Sequence, residues 1–577
     1  MTDFRIDRLQ FNQAAVGVWG QRNHQHRDWP VVYTLNNHNE VYVGESLDAG
    51  GRLRQHLDQR KKSQLVEARV IIDDTFNKSA CLDLESYLIQ LFHGDGRQVL
   101  NGNAGVVDGS YFQRERYRKR FREIFEHLRA DGLFEATIEE IENSDLFKLS
   151  PFKSLTEQQG DAVVSIVQGL LADLRGAPGS GTVIEGGPGT GKTVVAIFLV
   201  KMLRDIGSWD GEPFDSETYL SGTFTPENAA TLEGLRIGLV VPQQSLRKSI
   251  QAVFAKTPGL TADMVLSPFD VGKSERPWDL LVVDETHRLN QRANQTSAQK
   301  NREFAEINVK LFGSDGPEHT QLDWIKELSH QQVLLVDVKQ RVRPADLDAS
   351  MLAEVCSEAL SQGRLHRLTS QMRVRAGEDY VDYVRRILSP APPTRPIDFG
   401  EYDVRFFDDI GQMISAIKSR NADEGLARLL AGYAWSWESK KDSLRADIVF
   451  PNIELQWNSR VVDWVDSPKS VDEVGSIHTI QGYDLNYAGV IIGRDLRYDP
   501  VSASLKFDRE HYYDKKGKQN NPGQKLSDAD LLEYVQNIYS VLLTRGIRGT
   551  YVYAVDPHLR EYLRLYFPGA SAERLSR

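Results

Sequence analysis

Gly186-Gly187-Pro188-Gly189-Thr190-Gly191-Lys192-Thr193 decides the fold of this chain. The octet fits G-x-x-x-x-G-K-[ST], in which glycines let backbone N–H groups curl around phosphate oxygens. It follows the strand-like stretch Thr182–Glu185 and opens an apolar run, Val194 to Val200. A strand before the loop and a helix after it are the context this motif requires, and the helix N-terminus adds its dipole to the anion site. Lys192 is expected to reach the β- and γ-phosphates of a nucleoside triphosphate, and Thr193 to ligate Mg²⁺.

Downstream, Leu280-Leu281-Val282-Val283-Asp284-Glu285 reads as a buried strand ending in two carboxylates. Apolar residues on both faces place such a strand centrally in a parallel sheet, with Asp284 at its carboxyl end beside the phosphate loop. Asp284 is expected to hold Mg²⁺ and Glu285 to orient the attacking water as base. From Ser154 onward, apolar strand candidates alternate with helical stretches: Ile237–Val241, Val333–Asp337, Asp447–Phe450, Ala488–Ile492 and Thr550–Ala554. That alternation predicts parallel α/β layers.

The ordered motifs of this region, about residues 154–556, resemble superfamily 1 helicases. Leu155-Thr156, Gln159 and Ala162-Val163 look like the Q-motif, and Val240-Val241-Pro242 resembles motif Ia. Asp284-Glu285-Thr286-His287 corresponds to motif II, Asp337-Val338-Lys339-Gln340 to motif III and Gln371-Met372-Arg373 to motif IV. Ile477-His478-Thr479-Ile480-Gln481-Gly482-Tyr483-Asp484 resembles motif V, with Asp484 where Glu is usual, and Leu542-Leu543-Thr544-Arg545-Gly546 resembles motif VI. The strings DETHRLN and YSVLLTRGIRG look most like the Schlafen-type helicase module. The resemblance implies two RecA-like lobes closing over one ATP. Gln159 would read the adenine edge, Gln340 would contact the nucleotide, and Arg373 and Arg545 would be the cationic fingers, with Arg548 in reserve.

At the N-terminus, Val31–Leu35 and Glu40–Gly44 flank Asn36-Asn37-His38-Asn39, which reads as a β-hairpin with a four-residue loop. Pairing Leu35 with Glu40 sets Tyr33 opposite Tyr42. Val32, Thr34, Val41 and Val43 form the core face, so the phenols are expected to point elsewhere. Arg52 and His56 share a helix face, and Glu85 falls on an apolar stripe with Cys81, Leu88 and Phe92, where a carboxylate needs a cation or metal. Across about residues 30–105 this order resembles the GIY-YIG nucleases, with Val32-Tyr33 and Tyr42-Val43-Gly44 for the two triplets and Arg52, His56, Glu85 and Asn101 in the family's order. The resemblance implies phosphodiester hydrolysis with one divalent metal, Mg²⁺ or alternatively Mn²⁺. Glu85 would be the metal ligand, Arg52 would stabilise the phosphorane, Tyr33 with His56 would activate water, and Tyr42 would position the site.

The fold class expected is therefore α/β: a small GIY-YIG-like domain (1–110), a helical linker (111–150) with the basic run Arg114 to Arg122, and two RecA-like parallel-sheet lobes (151–345 and 346–577). The polar stretch Asp514–Lys525 reads as an exposed loop. Trp435, Trp437 and Trp457 are candidates for base stacking, although tryptophan is more often core.

Composition bounds the rest. With Lys+Arg 70 against Asp+Glu 81, the net charge is −11, which argues against a protein that coats nucleic acid nonspecifically but leaves room for a local groove. Two cysteines exclude a thiolate zinc cluster and a disulfide framework. No signal-like apolar stretch opens the chain and no apolar run approaches a membrane span, so the expected location is cytoplasmic, with no membrane partner. The reading is an ATP-dependent translocase or helicase joined to a divalent-metal endonuclease acting on nucleic acid, DNA rather than RNA, in anti-phage defence. A protein partner or a second copy of the chain stays open. The alternative is an ATP-gated nucleic-acid sensor or clamp whose N-terminal domain only binds.

Overall fold

The computed structural model describes residues 4–59, 62, 64–102, 111–176, 181–211, 220–293, 295, 297–370, 374, 378–460, 464, 465, 467–480, 483–519 and 525–569. The chain divides into two compact units. One holds residues 1–178, 194–235 and 250–264; the other holds 179–193, 236–249 and 265–577.

The first unit is built on a five-stranded sheet. Its strands are β1 (Phe4–Gln10), β2 (Val31–Asn36), β3 (Glu40–Ser46), β4 (Glu67–Asp73) and β5 (Gln98–Val99), in the order β1-β4-β2-β3-β5. The pairs β1/β4, β4/β2 and β2/β3 are antiparallel, and β3/β5 is parallel. Because side chains alternate across a strand, the two faces of this sheet carry two cores. Val32, Val41, Val43 and Ile71 pack with α3 (Lys78–Gly94) and α4 (Arg114–Ala130). Val31, Tyr33, Leu35, Tyr42 and Val70 pack with Val16 and Trp19 of α1 (Gln13–Arg22) and Leu53 of α2 (Ala49–Leu57). Helices α1 and α2 touch where both lack a side chain: a Cβ on Gly20 would sit 3.3 Å from the Gly50 Cα. Further along, α5 (Glu157–Leu174) starts at a capping box, in which the Gln159 side-chain oxygen accepts from the Thr156 N–H at 3.0 Å.

This hairpin corrects two sequence expectations. Tyr33 pairs with Gly44 and Leu35 with Tyr42, two residues out of the predicted register, around the shorter loop 37–39. A two-residue slip keeps every side chain on its face, so Tyr33 and Tyr42 remain neighbours, with ring centroids 6.3 Å apart. The face they occupy is itself a core, closed by α1 and α2.

In the second unit, a six-stranded sheet comprises β6 (Thr182–Gly186), β7 (Ile237–Val240), β8 (Val265–Leu266), β9 (Trp278–Val283), β10 (Ser329–Val336) and β11 (Leu365–Leu368). The order is β11-β6-β10-β9-β7-β8, and every pairing is parallel. A further parallel sheet, order β12-β20-β17-β13-β16, uses β12 (Asp403–Phe406), β13 (Ala427–Ala431), β16 (Val474–Ser476), β17 (Leu485–Ile492) and β20 (Gly546–Ala554). Two antiparallel hairpins complete it: β14 (Ile448–Phe450) with β15 (Ile453–Leu455), and β18 (Leu496–Asp499) with β19 (Ser504–Phe507). Residues 447–450, expected as a strand of the parallel layer, thus belong to a hairpin outside it. All eight residues of β17 are buried, as a central parallel strand requires.

Candidate functional site

The phosphate loop lies between β6 and α6 (Lys192–Gly207). Gly189 (φ 80°) and Gly191 (φ 77°) adopt left-handed backbone that side chains disfavour, which is why this curl needs glycine there. Pro188 and Thr190 are buried in the loop, and Thr190 Oγ1 donates to the Gly187 carbonyl at 3.0 Å. Lys192 is buried, its ammonium donating to the carbonyls of Gly186 (2.8 Å) and Gly187 (2.9 Å). Asp337 Oδ2 stands 3.9 Å away.

Strands β6 and β9 flank β10 in the sheet, so the phosphate loop and the end of β9 open on the same edge. There Thr193 Oγ1 donates to Asp284 Oδ2 at 2.8 Å. A hydroxyl and a carboxylate converging at a phosphate loop are the hard oxygen donors that Mg²⁺ takes, so the residues present fit the ion. Burial and the adjacent Glu285 charge push Asp284 up to about 6. Burial opposes the charge of Glu285 as well, but the His287 ring beside it and Lys192 hold its carboxyl well below the usual range. Glu285 has φ 50°, strained for a non-glycine residue and placed where the chain turns sharply off the strand.

His287 was missed by sequence reasoning as a functional residue. It is fully buried; its Nδ1 accepts from the Asp337 N–H at 3.2 Å. Asp337 in turn takes the Gln340 amide at 2.7 Å. The stretch after it is tied to its own layer by Arg288, which donates to Asp346 at 2.7 Å, and reaches the second parallel layer, where Arg343 contacts His478 and the Arg341 carbonyl accepts from Asn537 at 2.9 Å. Ser249 and Tyr483, in the motif Ia and motif V regions, share a hydrogen bond of 3.0 Å. DETH carried the only sequence signal for His287; nothing marked Arg343.

Of the proposed fingers, Arg545 is 3% exposed, and its guanidinium donates to the Tyr483 carbonyl at 3.4 Å. Arg548 pairs with Glu424. Arg373, with Gln371 and Met372, lies outside the described residues, as do Gln481 and Gly482. Asp514, expected in an exposed loop, is mostly buried beside His478, and Lys516 donates to the Gln295 carbonyl. Trp457 is core, and Trp435 and Trp437 pack partly buried against the same cluster.

In the first unit the phenols form a buried group. Tyr33 Oη and His56 Nε2 are 2.7 Å apart, and Lys62 Nζ is 2.9 Å from His56 Nδ1 and 3.5 Å from the Tyr42 ring centre. Gln59 Oε1 also lies 3.0 Å from Nδ1, but the ammonium, which can only donate, decides the tautomer: Nε2 carries the proton and faces Tyr33. Lys62 had no sequence signal. Asn101 clamps the Val43 backbone through both of its amide atoms, at 3.0 and 2.7 Å. Arg52 donates to Gln55 at 2.7 Å. Glu85 sits half-buried on α3, the helix covering the other sheet face, so the structure carries acid and phenols on opposite layers. Burial, then the charges of Glu45 and Glu85, raise the nearby Cys81 thiol well above its usual range. Among the described residues no group of three or more His, Cys, Asp or Glu side chains is arranged to hold a metal. The described residues thus fit Mg²⁺ at Glu85 only with water and substrate phosphate completing the shell.

A parallel sheet with a glycine-curled phosphate loop and a facing Asp-Glu pair defines a P-loop nucleotide-binding protein of RecA-like architecture. Residues 180–556 match the family described as Schlafen group 3, DNA/RNA helicase domain. The chain belongs to that family, a membership that makes it a helicase-type nucleic-acid protein. An uncharacterized protein of Saccharomyces cerevisiae is 27% identical over 410 residues, 66% of this chain and 83% of that protein. Arterivirus nonstructural protein 10, a helicase, is 14% identical at a TM-score of 0.26, covering 67% of this chain and 61% of its own. A structure of Pif1 helicases at forked double-stranded DNA is 11% identical at 0.25, covering 69% and 92%. Among the described residues no helix is long and apolar enough to cross a membrane.

Proposed function

We propose that this chain is an ATP-hydrolysing motor that moves along or remodels nucleic acid, joined to an endonuclease in its N-terminal part. The domains are proposed at 1–110, 111–150, 151–345 and 346–577. The observation that carries the motor is the 2.8 Å contact of Thr193 with Asp284, which brings the two halves of a nucleotide site together at one sheet edge.

The residues divide the work as follows. Lys192 leaves the Gly186 and Gly187 carbonyls for the phosphate oxygens, which replace them as acceptors. Magnesium, when bound, supplies positive charge to those oxygens, with Thr193 and Asp284 as its protein ligands. Glu285 stays ionised because His287 faces it, and so takes the proton of the attacking water. Asp337, held by Gln340 and by the His287 ring, senses the γ-phosphate side of Lys192. Its segment carries that change to His478 and Asn537. Arg545 and Arg373 are the proposed fingers, and Gln159 the proposed adenine contact.

The nuclease reading is supported by the buried Tyr33–His56–Lys62 arrangement, in which the His56 Nε2–H donates to the Tyr33 oxygen and Tyr33 is the proposed base for water. Glu85 is its proposed metal ligand and Arg52 its phosphate contact; DNA is the proposed target and defence against phage the proposed setting. The test is one assay of full-length protein on labelled single- and double-stranded DNA and RNA, with and without ATP and Mg²⁺. Lys192→Ala is expected to abolish nucleic-acid-stimulated ATPase. ATPase that survives this change sinks the motor reading.

A further inference from the structure

Helix α4 splits into two cationic faces with different fates. Arg114 and Arg118 pair with Asp83, Arg120 with Asp73 and Glu123, and Arg122 with Glu139 and Glu142. These tie the helix to its own unit, which accounts for most of the basic run as structure. Arg116 and Lys119 are different. Both are exposed and lie three residues apart on one face, and among the described residues their side chains make no hydrogen bond, ion pair or ring contact.

They line a cleft of about 210 Å³ with Gln113, Tyr117 and Arg120. That volume is below the usual range for a small-molecule cofactor pocket, roughly 300–1,000 Å³, and suits a single phosphodiester. Of the charged side chains around it, three are cations and one, Glu123, is an acid already bonded to Arg120 at 2.7 Å. The cleft sits at the start of a 17-residue helix whose N-cap, Gln113, makes no side-chain cap and holds a left-handed φ of 61°. The Arg114 N–H already bonds the Tyr111 carbonyl and the Arg116 N–H the Gln113 carbonyl, so the attraction for an anion comes from the side-chain cations. Phe112, the residue before Gln113 in the chain, is 84% exposed, a large aromatic left in solvent one residue from the cleft lining.

We infer that Phe112, Arg116 and Lys119 form a binding site for single-stranded nucleic acid, with a backbone phosphate in the cleft and a base stacked on Phe112. A duplex buries its base faces against each other, so the exposed ring selects a single strand. The phosphate contacts fix the strand and the stacking tolerates any base, so the site holds a strand without reading its sequence. This site lies outside residues 180–556 and does not depend on the ATP site or on nuclease chemistry.

The experiment photo-crosslinks full-length protein to single-stranded DNA and RNA carrying a thio-substituted base, and maps the crosslinked peptides. Wild type and Lys192→Ala are both expected to crosslink within residues 111–120, and Phe112→Ala to lose that crosslink. In anisotropy titrations, Arg116→Ala/Lys119→Ala is expected to weaken single-strand binding and to lower the salt slope by about 1.4, two phosphates at about 0.7 each. Lys326→Ala, an exposed lysine elsewhere, is the control and should change neither. The inference is overturned if crosslinks avoid residues 111–120 with both strand types, or if the double variant keeps the wild-type salt slope. It is overturned equally if an abasic strand binds as well as an intact one.

Discussion

His287 Nε2 lies 3.1 Å from Glu285 Oε2, off the ideal hydrogen-bond direction, while its Nδ1 accepts from the Asp337 backbone. A backbone N–H can only donate, so Nδ1 is unprotonated and the proton sits on Nε2, facing the carboxylate. The ring therefore fixes both the charge of the water-activating acid and the position of the residue beside Lys192. Glu285→Gln should lower the kcat of ATP hydrolysis by about 10²- to 10⁴-fold, with little change in nucleotide binding. His287→Ala should lower kcat by less, because Glu285 survives but loses its partner. Equal losses in kcat and in nucleotide affinity for Glu285→Gln would show a binding role instead.

Gly191 offers a second test of the same site. At φ 77° any L side chain is strained by about 1–2 kcal/mol, and its peptide is part of the curl that faces phosphate. Gly191→Ala should weaken ATP binding by roughly tenfold or more while leaving single-strand crosslinking at residues 111–120 unchanged. Calorimetric titration of a non-hydrolysable nucleotide measures the first quantity directly.

The nucleotide site was legible because its chemistry is local. Eight consecutive residues make the loop, and a run of apolar residues ending in Asp284-Glu285 marks a central strand without any tertiary information. The hairpin register was not legible. Both pairings put the same side chains on the same face, so hydrophobic pattern could not choose between them. Sequence also could not show that the Tyr33 face is closed by α1 and α2, since amphipathic helices announce that they pack but not on what. Lys62 and Arg343 were invisible for a related reason. A lysine or arginine is normally solvated, and only the fold brings these two to His56 and His478.

The nuclease proposal predicts a separation between chemistry and stability. Tyr33→Phe keeps the buried ring and loses the contact with His56, a change of about 1 kcal/mol in stability, yet it should abolish cleavage. Glu85→Gln should abolish cleavage as well, without measurable effect on ATPase. Cleavage that persists in both variants would make the N-terminal unit a binding module.

His93 sets an acid limit on the first unit. Burial, with a small contribution from Lys201, lowers it to about 4, and its Nδ1 donates to the Leu146 carbonyl at 3.0 Å. Between about pH 6.5 and 4 the unfolded chain takes a proton that the folded one refuses, so stability contributed by neutral His93 is present above pH 6.5 and lost as pH falls. The loss is on the order of 2–3 kcal/mol by pH 4. His93→Gln removes the titration, so its melting temperature should fall less than that of wild type between pH 7.5 and 5. Parallel curves for the two proteins would contradict the assignment.

Asp495 works in the opposite direction. It is fully buried, accepts from the Tyr539 hydroxyl at 2.6 Å, and is raised by burial to about 7. Its folded form keeps a proton that the unfolded chain releases near pH 4, so the folded state is favoured least once pH passes 7. Stability associated with this group therefore declines from about pH 4 to 7 and then levels off. Asparagine copies the protonated acid, and its carbonyl oxygen still accepts from Tyr539. Asp495→Asn should raise stability at pH 8 by on the order of 2–4 kcal/mol and change it little at pH 4.5. Denaturant unfolding followed at both pH values decides it. A variant destabilised equally at both would mean that Asp495 is held as a charged acceptor, and that burial does not govern its proton.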